Sequence, residues 1–398
     1  MPSPESCPHR PPCPGCPRFG EPSIAPAARA GLGALAAEAG LPTPTLHSAP
    51  ALGHRHRARL AVRGRASAPQ IGLFEAGSHR IVATPHCAIH HPRLNEAAGA
   101  LVEAIRETAT TPYDDATHTG ALRYVQLVVE RRTGRVQVVL VGRGETPAIL
   151  GELPQALARR LGAGLQGLFF NAQPARSNAI LGEPTVALAG EAAVHERIAD
   201  VDVFFPPTAF GQNHLPLFER AVGRIGELVP DGARVAELYC GVGAIGLPLL
   251  ARGARVRFNE RGPGGLEGLA LGLAARPAAE RARAEVHAGP AGEQRALLDG
   301  AEVVIVDPPR KGLDGPLLEA LVDAPPPRLV YLACDRTSLA RDLARLRESG
   351  RLVLRGIEAF DFFPFTEHVE TLVWLDRAGE HFDDVPDPSF PPAAGTER

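Results

Sequence analysis

Residues 233–250 read ARVAELYCGVGAIGLPLL, and the reading of this stretch decides the fold. A short apolar run, Val235 to Leu238, has the composition of a buried strand. It breaks at a turn with Gly241, Gly243 and Gly246 at G-x-G-x-x-G spacing, then resumes as an apolar helical pattern through Leu249 and Leu250. Strand, glycine turn and helix start form a cradle for a nucleotide-like ligand, because a residue without Cβ lets a ligand approach the backbone. Alone, the pattern fits a purely structural turn as well. The rest of the chain decides between the two.

Downstream, strands alternate with helical patterns at 235–238, 255–258, 303–306, 329–332, 351–360 and 371–375. That alternation predicts a mostly parallel, doubly wound α/β sheet. Glu260 closes the second strand roughly 20 residues past the glycines, where an acid accepts the two hydroxyls of a ribose. An ordinary surface glutamate is the plainer alternative. Asp307-Pro308-Pro309-Arg310-Lys311-Gly312 follows the strand VVIV, at the sheet edge where open α/β folds bind ligands. Cys334 ends the next strand and a helix opens directly after it. A thiol so placed is expected to have a lowered pKa and to serve as a nucleophile, the alternative being a merely buried cysteine.

Upstream, the character is different. Strands at 70–75, 122–130, 135–142 and 167–171, helices at 24–40 and 94–108, and a hairpin turn at Arg132-Thr133-Gly134 predict a mixed α+β unit with antiparallel pairing. The alternating segment HRHRARLAVRGR (54–65) places Arg55, Arg57, Arg59, Arg63 and Arg65 on one side of an extended strand. They form either a solvated face or a phosphate contact, since guanidinium pairs bidentately with phosphate. Composition changes near 203–207, which predicts an N-terminal domain at 1–204 and a second at 205–378. The Pro- and Asp-rich tail, 379–398, is expected to be disordered.

Cys7, Cys13 and Cys16 have C-x5-C-x2-C spacing in a loop that proline and glycine keep irregular, and Cys87 is the unassigned cysteine of the first half. In a reducing compartment such a cluster reads as a metal site. Four thiolates suit a [4Fe–4S] cluster and a tetrahedral zinc ion equally. A radical enzyme needs one iron open, and four cysteines could close the site.

Length and charge set outer bounds. A chain of 398 residues can bury two cores. The formal charge of −3 confines any nucleic-acid contact to a local patch. Lys311 is the only lysine in a chain otherwise rich in arginine, which points to a GC-rich genome. No apolar run spans a membrane, and the start MPSPESCPHRPP lacks a signal peptide's hydrophobic core, so a cytoplasmic protein without membrane contact is expected.

Taken together, the N-terminal cysteines, Phe210-Gly-Gln212 followed by Phe218, LYCGVGAIGLP, DPPRKGL, YLACDRTSLARDL and FDFFPFTEHVETLVWL resemble the S-adenosylmethionine (SAM)-dependent RNA uracil-C5 methyltransferases, over nearly the whole chain. The resemblance implies a class I SAM-methyltransferase, Rossmann-like sheet behind an N-terminal α+β domain with a cysteine cluster. It implies Cys334 as nucleophile and Glu370 as base. It further implies Gln212, Tyr239, Gly241, Gly243, Glu260 and Asp307 around SAM, and Cys7, Cys13, Cys16 and Cys87 as ligands of a [4Fe–4S] cluster in preference to zinc. The implied partner is RNA, 23S rRNA above tRNA because the chain starts almost at the cysteine loop, with no room for the small RNA-binding barrel of many relatives. No obligate protein partner is implied. Phe210, Phe363 and Phe365 are candidate partners for a stacked base.

Several positions depart from the family pattern. Glu237 replaces the usual aspartate, Ala244 a polar residue, and Arg336 a common proline; an acid or amide expected near 286–289 is missing, and 261–277 is unusually rich in glycine and alanine. Two other classes therefore stay open: an amino-methylating relative, since DPPR is similar to the signature of such enzymes, and a non-catalytic RNA-binding relative with a degenerate SAM site. An NAD enzyme has only the glycine turn in its favour.

Overall fold

The computed structural model describes residues 7–380; most of the tail expected to be disordered, 381–398, lies outside them. In chain order the elements begin with α1 (Pro26–Glu38), β1 (Thr45–His47), β2 (Arg57–Arg65), β3 (Ala68–Phe74), β4 (Ile81–Ala83) and α2 (Pro92–Thr108). Next come β5 (Leu122–Val129), β6 (Val136–Gly142), α3 (Leu153–Leu161), β7 (Leu165–Ala172), β8 (Thr185–Gly190), β9 (Val194–Ile198) and β10 (Val201–Phe205). The second half comprises α4 (Leu215–Glu227), β11 (Arg234–Leu238), α5 (Gly246–Ala251), β12 (Arg255–Glu260), α6 (Pro263–Ala274), α7 (Ala278–Arg281) and β13 (Ala284–Ala288). It closes with β14 (Val303–Val306), α8 (Gly315–Asp323), β15 (Arg328–Ala333), α9 (Arg336–Arg347), β16 (Leu352–Phe360) and β17 (Glu370–Arg377).

Strands β4-β3-β2-β5-β6-β7-β8 form a seven-stranded sheet, antiparallel except for β6 with β7. One face is covered by α2 and α3, whose Leu94, Leu101, Ile105, Leu153 and Leu157 pack with Val125, Leu127, Val138 and Leu140 from the strands. Burial of each such side chain is worth about 1.5–3 kcal/mol before chain entropy is counted.

The second sheet has the order β1-β16-β17-β15-β14-β11-β12-β13. Its strands run parallel except β17, which is antiparallel to both neighbours. Side chains alternate between two cores as the two-residue period requires. Val235, Val303, Ile305, Val330 and Leu332 face the layer of α4, α5 and α6. Ala236, Leu238, Val304, Val306, Leu329 and Tyr331 face α1, α8 and α9.

The chain divides less cleanly than a boundary at 204 suggests. Helix α1 packs in the core of the C-terminal sheet, and β1 extends that sheet through the pairs Thr45–Glu358 and His47–Phe360. Glu358 fastens this edge, with His47 Nε2 at 2.8 Å from one oxygen and Arg224 Nε at 2.6 Å from the other. The β9–β10 hairpin also joins the C-terminal core through Val194, Ile198, Val201 and Val203.

Two of the four arginines of β2 are turned inward, while Arg59 and Arg65 are exposed. Arg57 and Arg63 are buried. Arg57 donates to the Ala209 carbonyl at 2.8 Å, Arg59 to Gln126 Oε1 at 2.7 Å, and Arg63 to Asp115 at 2.6 and 3.0 Å. Burial removes an unpaired cation's hydration, so Arg57 and Arg63 are consumed by internal acceptors. Arg57 braces the loop at 206–214 directly, and Gln126, held by Arg59, does so by donating to the Pro207 carbonyl at 2.7 Å.

Candidate active site

The glycine turn sits at the C-terminal end of β11, between β12 and β14, where the strand order reverses and open α/β sheets take their ligands. Gly241 and Gly243 have φ of +57° and +77°, which only glycine adopts without strain. A Cβ added at Gly241 would meet nothing within 4 Å, so the turn faces open space. Tyr239 shares the left-handed region, with φ of +59°; its hydroxyl donates to Asp314 Oδ2 at 2.8 Å. Asp314, which the sequence did not single out, also caps α8 by accepting from Leu317 N at 3.1 Å.

Glu260 lies beside this turn. One carboxylate oxygen accepts from Gly241 N at 2.9 Å, and the other from Arg261 N and Gly262 N at 2.8 and 2.5 Å. The group is thereby oriented, and each oxygen of a carboxylate keeps further acceptor capacity for a ribose hydroxyl. Glu237 is fully buried below the turn, without a hydrogen-bond partner for either oxygen, and burial next to Asp307 holds its carboxyl well above the usual range. Gly246 makes room for it, since a Cβ there would collide with the carboxylate.

The glycine-rich α6 is explained by contact. A Cβ on Gly264 would lie 2.7 Å from Ala209 N, and one on Gly268 would lie 2.5 Å from the Phe204 carbonyl. The helix thus packs backbone to backbone against the segment that leads to Phe210 and Gln212. Phe210 is 68 % exposed and free to stack. Phe365 is buried instead against Cys16, and Phe363 is half-buried. Gln212 lies on the same loop as Phe210 and lines a small void with His56, Arg57 and Phe205. Where the acid near 286–289 is missing, the Gln294 amide stands 3.3 Å from a Cβ built on Gly289.

Cys334 and Glu370 come together at the ends of adjacent strands. Ala333 of β15 pairs with Thr371 of β17, so the next residues outward, Cys334 and Glu370, face each other. Asp307 directly follows β14, the neighbour of β15 on its other side. All three groups act on one another electrostatically. Burial, then Glu370 and Asp307, push the Cys334 thiol up to about 12, with Arg310 opposing. Burial lifts Asp307 to about 7. Burial and Asp307 raise Glu370 well above the carboxylate range, and its oxygens have no hydrogen-bond partner.

The thiol's shift is therefore opposite to the sequence expectation. The helix start that should have lowered it is capped by Asp335, which accepts from Ser338 N at 2.9 Å. The cap places a carboxylate at the positive helix end, and the thiol is left facing buried acids.

The four N-terminal cysteines line one cavity of about 130 Å³, with Arg55 and His90. Burial, then the neighbouring Cys87, Cys7 and Cys13, push the Cys16 thiol up to about 12. Among the described residues no group of three His, Cys, Asp or Glu side chains is placed to hold a single metal ion. The four thiols stand around one cavity that Arg55 also lines, the donor set that a tetrathiolate site would need.

The strand order, numbered from β11, is third, second, first, fourth, fifth, seventh, sixth with the seventh reversed; together with the glycine turn and Glu260 it defines a class I SAM-dependent methyltransferase. Known proteins narrow the class. Residues 299–378 match the family model described as tRNA (Uracil-5-)-methyltransferase. An uncharacterized RNA methyltransferase of Protochlamydia amoebophila is 33 % identical over 340 residues, covering 84 % of this chain and 88 % of its own. One from Gloeobacter violaceus is 34 % identical over 339 residues, covering 82 % and 71 %. The crystal structure of Pyrococcus abyssi tRNA (uracil-54, C5)-methyltransferase with S-adenosyl-L-homocysteine superposes with a TM-score of 0.70 at 26 % identity, over 87 % of this chain and 81 % of that one. The chain belongs to the RNA uracil-5-methyltransferase family and is a SAM-dependent RNA methyltransferase. No helix among the described residues is long and apolar enough to cross a membrane.

Proposed function

We propose that the protein methylates C5 of one uridine in 23S rRNA, with Cys334 as covalent nucleophile and Glu370 as base. The observation that carries this reading is the facing pair of Cys334 and Glu370 beside Asp307 at the mouth of the glycine turn. The uracil C5 is too weak a nucleophile to be methylated directly. Cys334 reacts as its thiolate, the thiol proton having left to solvent, and the sulfur bonds to C6, which moves the ring's electron pair toward C5 and O4. Bound SAM supplies the methyl group that C5 accepts and leaves as S-adenosylhomocysteine. Glu370 then takes the C5 proton; the freed pair restores the C5–C6 double bond and expels the Cys334 thiolate. Burial makes the Glu370 carboxylate a stronger base than a solvated one, as this step needs.

SAM is held by Gly241 and Gly243, by Glu260 on its ribose, and by Tyr239, Gln212 and Asp307 around the rest. The exposed Phe210 stacks the flipped base, whose unstacking costs a few kcal/mol. Cys7, Cys13, Cys16 and Cys87 bind a [4Fe–4S] cluster, for which zinc is the alternative. The location is cytoplasmic, a reducing compartment in which the cysteine thiols stay available as ligands. The P. abyssi neighbour, named for a tRNA uracil, favours tRNA as the second reading of the substrate.

The test is methyl transfer from labelled SAM to unmodified RNA, followed by nucleoside analysis. 5-Methyluridine is expected, with no product from Cys334→Ala. N-methylated adenosine, or activity that survives in Cys334→Ala, would overturn the reading. Mapping the modified uridine separates 23S rRNA from tRNA.

A further inference from the structure

The cysteine loop and the segment leading into Glu370 are sewn together. Arg18 N donates to the Phe365 carbonyl at 3.0 Å, and Phe365 N donates to the Ser23 carbonyl at 3.3 Å. Ile24 and Thr366 form a parallel bridge. The buried Arg18 side chain donates to the Thr366 and Pro22 carbonyls at 3.3 and 3.2 Å, and lies 3.0 Å from Glu21 and 3.4 Å from Glu367. Asp361, fully buried, adjoins Ser23 and Arg18.

Apolar contact continues the seam. Cys16, Ile89 and Phe365 form one buried cluster, with Cys87 and Phe19 packed against it. The Phe19 and Phe365 rings are 4.9 Å apart between centroids. Phe365 also has φ of +63°, a left-handed conformation that costs a bulky residue about 1–3 kcal/mol and persists only where surroundings impose it. The surroundings that impose it belong to the cysteine loop. Release of that loop lets Phe365 relax to the right-handed region. Because Glu370 is only five residues further on, the relaxation moves the base.

We propose that Arg18 is a positioning residue for Glu370, locking Phe365 in its left-handed state so that the arrangement of the cysteine loop is felt at the carboxylate that removes the C5 proton. The inference rests on Glu370 being the base. The strained φ of Phe365 marks where a second, relaxed arrangement would arise, which such coupling requires beyond mere proximity. The chemistry gives it a distinctive signature. A displaced base leaves C6 addition and methyl transfer possible but slows elimination, so the methylated RNA stays bonded to Cys334.

The experiment uses the full chain as Arg18→Gln, Arg18→Lys and Glu370→Gln, with RNA and methyl-labelled SAM run on denaturing gels. Arg18→Gln is expected to raise the labelled protein–RNA adduct and to lower kcat about tenfold or more, with KM for SAM near that of the parent. Arg18→Lys, which keeps a charged donor, recovers part of the turnover. Hydrogen exchange at 361–369 quickens in Arg18→Gln while exchange at the glycine turn does not. Parent-like adduct and parent-like exchange at 361–369 would overturn the proposal. If Arg18→Gln does not fold, Phe365→Gly removes the contact with Cys16 and the backbone strain together, and unchanged adduct and exchange there would overturn it equally. Absence of adduct in Glu370→Gln would instead indict the base assignment; adduct in Glu370→Gln without adduct in Arg18→Gln rejects the brace alone.

Discussion

Cys334 and Glu370 stand directly opposite each other, one step beyond the Ala333–Thr371 pair of the β15–β17 ladder. Residues so paired in an antiparallel ladder have Cα atoms about 4.5–5.5 Å apart and direct their side chains to the same face. On the proposed reading, a pyrimidine over these strand ends would meet the sulfur at C6 and the carboxylate near C5. Glu370 is also paired with Phe360 of β16, so it is enclosed on both sides and fully buried.

Exchanging Glu370 for glutamine keeps the size of the group and removes its basicity. Turnover is expected to fall by about 10²–10⁴-fold, the usual worth of a positioned base. Methyl transfer within a single turnover should survive. The check is a single-turnover assay beside a steady-state one; equal losses in both would show that Glu370 acts before methyl transfer.

The pH profile follows from the charges around the thiol. With the Cys334 thiol pushed up to about 12, the reactive thiolate is a small fraction near neutrality and grows with pH. At saturating SAM, kcat/KM for RNA should therefore rise between about pH 6 and 9. Asp307 titrates near 7 and its anion holds the thiol up. Removing that anion in Asp307→Asn lowers the thiol pKa, so the rise should move to lower pH. A profile that stays in place would show that Asp307 does not set the thiol.

Gly264 and Gly223 give a matched contrast. In Gly264→Ala the new methyl would lie 2.7 Å from Ala209 N, so backbone must shift, at a cost of about 1–3 kcal/mol. Gly223, within α4, has nothing within 4 Å of an added Cβ. Gly223→Ala should stabilise by about 0.4–1 kcal/mol through helix propensity and the unfolded chain. Denaturant unfolding of the two variants measures both signs. Gly264→Ala should also raise KM for SAM, because the displaced segment carries Gln212.

For the cysteine cavity, anaerobic reconstitution of the protein with iron and sulfide should load the two in equal amounts. Replacing Cys87 with serine should lower that loading and, by withdrawing a ligand, lower stability of the N-terminal loop. Zinc binding with no uptake of sulfide would favour the single-ion alternative.

Much of the site was legible because its residues end apolar strands that have few other readings. Asp307 after VVIV and Cys334 after VYLA follow runs buried on both faces. Strand β13 was not legible: AEVHA alternates between partly buried and exposed positions at the sheet edge and has no apolar run to mark it. The arginines of β2 misled for a different reason. Alternation was read correctly, but the acceptors that absorb Arg57 and Arg63, the Ala209 carbonyl and Asp115, are distant in sequence. The thiol's pKa was missed because the two acids that raise it, Glu370 and Asp307, come from the ends of two other strands. Local sequence shows the helix start at Arg336 and cannot show Glu370 across the ladder.

Strand β1 joins β16 across some of the longest sequence separations in the chain. On the ribosome, residues 45–47 emerge early and must wait for almost all of the remaining polypeptide before their partner exists. A fragment beginning at residue 205 would leave β16 with bare amide and carbonyl groups along one side, an invitation to associate with other chains. The folding of β1 and β16 is therefore coupled, and a C-terminal half made without β1 is expected to associate through that open edge.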